Sequence, residues 1–148
     1  MKLRRSLAGL SLALALAVPA TTLAAPLIAL DSAVFVERIK PGKGRLLQPA
    51  ATFRRGDRVV YVVSWVRKSG AGSFTVTYAV PRAVYFQGSA DGSEQVSIDG
   101  GKHWGKLDQM RAGTRLATPE DVTHLRWQIS AGDAARGSGE IAYSAIVR

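Results

Sequence analysis

The sequence predicts an all-β fold, an immunoglobulin-like antiparallel β-sandwich of about seven short strands. Three observations predict it. Runs rich in Val, Tyr, Trp and Thr recur between Gly, Pro and Asp punctuation, and apolar residues along them alternate with period two. Beyond Ala24 no helix-period pattern of comparable length occurs. The run Arg58–Val66 is apolar on both faces, which two stacked sheets cover and one open sheet does not.

The chain opens with Met1-Lys-Leu-Arg-Arg5, three positive charges and no acid, ahead of the apolar run Leu7 to Val18. That run is about a dozen residues, short of the roughly 20 that span a bilayer, and small residues follow at Thr22 and Ala24. Residues 1–24 therefore read as a secretory signal peptide cleaved between Ala24 and Ala25. An uncleaved anchor running on through Leu30 is the weaker alternative, because Pro19 and Pro26 interrupt it. Losing Lys2, Arg4 and Arg5 takes 20 basic residues to 17 against 11 acidic ones, a formal charge of +6. The remaining chain suffices for one domain with a core: residues 25–45 as lead and first strand, 46–148 as the rest. No cysteine is present, which excludes disulfides, lipoprotein-type acylation and thiolate metal sites, and suits a bacterial periplasm or exterior.

Ala33–Ile39 alternates as a first strand, and Pro41–Gly44 ends it. Leu46 to Phe53 reads as a connection whose Leu46, Leu47 and Phe53 tuck under the sheet, since Pro49 argues against a central strand. Arg58–Val66 and Phe74–Val80, broken by Gly70-Ala-Gly72, read as a β-hairpin, the first strand central and covered on both faces. Phe74, Val76, Tyr78 and Val80 share the inner face of the second. Val84–Phe86 leads to a polar turn at Gly88–Ser93, and Glu94–Ile98 is a short strand. Asp99-Gly100-Gly101 then turns the chain into Lys102–Gly105. Thr118-Pro-Glu-Asp121 is a capped helical turn. Leu125, Trp127 and Ile129 point inward from His124–Ile129, Gly132 to Gly139 reads as a flexible loop, and Ile141, Tyr143, Ala145 and Val147 line one face of the closing strand.

Gly56-Asp57 before a Val/Tyr strand, Pro81 after its successor, Tyr85–Ala90, Val122–Trp127 and Gly137–Val147 together resemble the bacterial conserved repeat domain, catalogued as domain of unknown function number eleven. The likeness spans about Leu46 to Arg148. It implies an immunoglobulin-like sandwich, export and a place in envelope or surface proteins; it implies no catalytic residues. One copy, rather than an array, fits a small module or a partner of a larger assembly.

Ser97-Ile-Asp-Gly-Gly-Lys-His-Trp104 is similar to an Asp-box, in which Asp99 collects turn amides while Trp104 packs beneath. Such a box is a rigid turn first and a sugar-contacting tip second. The acids Asp91, Glu94, Asp99 and Asp108 match no EF-hand spacing and read as solvated loop charges. Two histidines, His103 and His124, are too few for a histidine-built zinc site, and no nucleophile elbow occurs, so neither an enzyme nor a cofactor is expected. Two functional readings stand. The first is a structural or interaction module of the envelope that meets a protein partner, by strand addition at a sheet edge. The second is a binder of an anionic glycan or lipid through Arg54, Arg55 and Arg58, or of a carbohydrate through Lys102, His103, Trp104 and Lys106. Nucleic acid is not an expected partner.

Overall fold

A computed structural model describes residues 24–49 and 51–148, so the signal peptide expected at residues 1–24 lies, but for Ala24, outside the described residues. The described chain is antiparallel β-structure. In order, its strands are β1 (Leu27–Lys40), β2 (Gly44–Pro49), β3 (Arg58–Ser69), β4 (Phe74–Ala79), β5 (Val84–Ser89), β6 (Gln95–Ser97), β7 (Arg111–Ala112), β8 (Arg115–Leu116), β9 (His124–Ile129) and β10 (Ser138–Val147). A single helical turn, α1 (Ala131–Ala134), precedes the last strand. Five strands form one sheet in the order β2-β1-β3-β10-β5, three form a second in the order β4-β9-β6, and β7 pairs with β8 alone.

The expected hairpin does not form. β3 is flanked by β1 on one side and β10 on the other, so no ladder position is left for β4, which joins the second sheet. Gly70 and Gly72, with φ of 83° and 86°, carry the crossing, and the Arg67 guanidinium donates to both of their carbonyl oxygens. Trp65 and Phe74 then meet edge-on across the sheets, centroids 5.1 Å apart. The apolar faces of both strands are thus satisfied by burial between layers rather than by pairing.

Other expectations need smaller corrections. The first strand runs the full Leu27–Lys40 and returns through the turn at Pro41–Lys43 as β2, an edge strand compatible with Pro49. Leu47 and Phe53 are 51% and 41% exposed, not tucked under the sheet. β3 is central, but its second face is uneven: Val60 and Val62 are half-buried and Val66 is 40% exposed. The stretch expected as a loop from Gly132 contains α1, capped by Ser130 and anchored by buried Ala134, and the start of β10. The β7–β8 ribbon turns at Gly113 with φ of 65° and was not foreseen.

Both sheets share one core. Val59, Val63, Trp65, Ile141, Tyr143 and Ala145 from the larger sheet pack with Phe74, Val76, Val96, Leu125 and Trp127 from the smaller, as period-two alternation requires. Tyr143 is its aromatic centre, stacked on Tyr61 at 4.9 Å and within 6.3 Å of Tyr78, Phe86 and Trp127. Burial pushes its phenol well above the usual tyrosine range.

Candidate functional site

The Asp-box-like segment is a closed network. Asp99 Oδ1 accepts from the Ser97 hydroxyl at 2.8 Å, the Lys102 amide at 3.2 Å and the His103 amide at 3.0 Å, while Oδ2 lies 2.5 Å from His103 Nδ1. These donors, the His103 amide foremost, hold the Asp99 carboxyl well below the ordinary carboxylate range. Gly100 and Gly101, with φ of 78° and 89°, permit the turn, and the Val96 and Gly105 backbones exchange hydrogen bonds to close it. Trp104 is packed against Gly101 on one side and carries the Arg126 guanidinium over its ring at 4.6 Å. Lys106 Nζ donates to the carbonyls of Gly92 and Glu94. Lys102 and His103 remain exposed, but the Trp104 ring and the Asp99 carboxylate are spent on holding the turn.

The three arginines of the second expected site have different surroundings. Arg58 Nε is 3.7 Å from Glu37, which Arg45 also approaches at 3.4 Å. The Arg54 amide donates to Asp57, whose carboxyl is lowered by that bond first and by the Arg38 guanidinium at 2.9 Å second. Arg55 instead lines a depression with Gly56, Tyr85, Glu120, Ile146, Val147 and Arg148.

That depression shares Glu120 and Arg148 with a cleft of about 660 Å³ that sequence reading did not find. Its floor is Val80, Pro81, Val84 and Val122; Arg82, Glu120, His124 and Arg148 supply its polar wall. The Arg148 guanidinium is fixed by the carbonyls of Val84 at 3.1 Å and Glu120 at 3.0 Å and lies 5.7 Å from the Tyr85 ring centroid. His124 Nδ1 meets the Thr123 hydroxyl at 3.1 Å, and that hydroxyl lies 3.1 Å from the Ser97 carbonyl and accepts the Gly100 amide at 3.0 Å. No local spacing announces this cleft, because its walls come from four separate stretches of chain.

The sheet edges differ in protection. β2 carries Arg45 and Pro49; β5 has the turn at Pro119–Asp121 beside it and Arg148 on its Val84 carbonyl; β6 is continued by the bridge to Gly105. The outer edge of β4 carries no ladder partner among the described residues. Val80 N–H donates to Thr123 at 2.9 Å, so ladder alternation turns the amides and carbonyls of Thr75, Thr77 and Ala79 away from β9. Comparison with known protein families, curated proteins and solved structures finds no match to this chain.

Proposed function

We propose that this chain is an exported, non-enzymatic module of the bacterial envelope, that its two sheets constitute an immunoglobulin-like sandwich of the conserved-repeat kind, and that it takes a strand of a partner protein onto β4. The observation that carries the reading is the β4 edge. It is six residues, Phe74-Thr-Val-Thr-Tyr-Ala79, without charge, proline or bulge, the devices that protect other edges. Its outward amides and carbonyls offer a ladder, and the exposed Thr75 and Thr77 offer a neutral surface to alternate side chains of the added strand.

The test uses Thr77→Pro. Thr77 N–H points away from β9, so proline there removes an outward donor without breaking an existing ladder bond. Protein starting at Ala25 is cross-linked in envelope extract at low and high salt, and the amide exchange of Thr75, Thr77 and Ala79 is followed in the captured complex. Capture that survives high salt, slows exchange at these amides and is lost in Thr77→Pro supports strand addition. Capture by Thr77→Pro equal to that of the unchanged chain overturns it.

A further inference from the structure

We infer that the cleft between Pro81 and Glu120 is a binding site for a phosphorylated sugar. Five arginines, Arg38, Arg45, Arg58, Arg115 and Arg136, lie on carboxylates. Seven other described arginines do not, and of these Arg82 and Arg148 line the cleft while Arg55 lines the depression that shares Arg148 and Glu120 with it. Guanidinium forks match phosphate oxygens in pairs, and Arg148 is already oriented by two carbonyls and the Tyr85 ring, so little side-chain freedom is lost on binding.

The remaining lining sets the rest of the ligand. Glu120 is the one carboxylate side chain among the cleft residues, and with a phosphate held by the arginines it accepts hydrogen bonds from sugar hydroxyls. His124 contributes its second ring nitrogen, since Nδ1 is engaged by Thr123. Val80, Pro81, Val84 and Val122 form an apolar floor for the carbon-bound hydrogens of a sugar ring. A volume of about 660 Å³ falls within the range of small-ligand sites. The cleft meets the end of β4 at Ala79, but Arg82 lies outside the strand and Thr75 and Thr77 do not line the cleft, so failure of the ligand reading leaves strand addition standing.

The test titrates the chain with glucose 6-phosphate, glucose and inorganic phosphate by calorimetry, and floats it with vesicles bearing phosphatidylinositol phosphate or neutral lipid only. Glucose 6-phosphate is expected to bind more tightly than either fragment, with about tenfold loss in Arg82→Gln and no loss in Arg58→Gln. Flotation with the phosphorylated lipid alone, lost in Arg82→Gln, assigns the same chemistry to a lipid-borne headgroup. Binding of inorganic phosphate as tight as the sugar phosphate, equal loss in Arg58→Gln, or no binding to any probe overturns the assignment. Retention of the Arg82→Gln melting temperature separates a lost contact from a lost fold.

Discussion

At the scale of single residues, the tightest constraint lies where β10 crosses Trp65. A Cβ built on Gly139 would sit 2.5 Å from Trp65 Cζ2 and 2.7 Å from Cε2, so no side chain fits without moving a ring that is 3% exposed. Gly139→Ala is expected to cost about 1–3 kcal/mol, as overpacking of cores does, and a urea midpoint equal to that of the unchanged chain would contradict this. Residue roles were legible in the sequence where they are local. The Ser97-x-Asp99 spacing announces the turn because every donor to Asp99 comes from within four residues. Arg82 was readable only as one of several basic residues bracketing the expected hairpin and Arg148 gave no signal, since it is the fold that sets both on one cleft, with Arg148 held to the Val84 and Glu120 carbonyls.

At the scale of elements, face alternation was readable and partnership was not. Phe74, Val76 and Tyr78 point inward as their spacing requires, and so do Leu125 and Trp127, because burial depends on the pleat and not on which strand lies alongside. The pairing of β3 was misread for the complementary reason. A glycine-rich break permits a reversal within a sheet and a crossing between sheets equally, and the choice is made by β1 and β10 on either side of β3. α1 was missed because four residues carry no periodicity; its signal is the Ser130 cap, whose hydroxyl accepts the Asp133 amide at 3.1 Å. Ser130→Ala is expected to lose about 1 kcal/mol and to speed exchange at the Ala134 and Ala135 amides, which donate to Ser130 and Ala131. Unaltered exchange there would show that packing of Ala134 alone holds the turn.

At the scale of the whole molecule, stability is set against acid by carboxylates that fold into hydrogen bonds. Asp57, Asp91, Asp99 and Asp121 are all lowered from the ordinary value of 3.8. For Asp121 the Arg115 guanidinium at 2.6 Å is the main cause and the Thr118 amide the second. A group with a folded value below its unfolded one stabilises fully above the unfolded value and loses that contribution as pH falls through the folded one. The melting temperature is therefore expected to drop as pH is taken below 3.8, and Asp121→Asn should lie below the unchanged chain at neutral pH and approach it in acid. A constant gap between the two curves would exclude this origin. The order of strands also fixes a sequence of events in time. β10 comes last in chain order among the described strands yet occupies an interior position, with β3 on one side and β5 on the other. Until Ser138–Val147 is in place, the larger sheet stays split and the core lacks Tyr143, its central ring. A chain with this topology closes its larger sheet only once β10 is seated between β3 and β5, a pairing between stretches far apart in sequence.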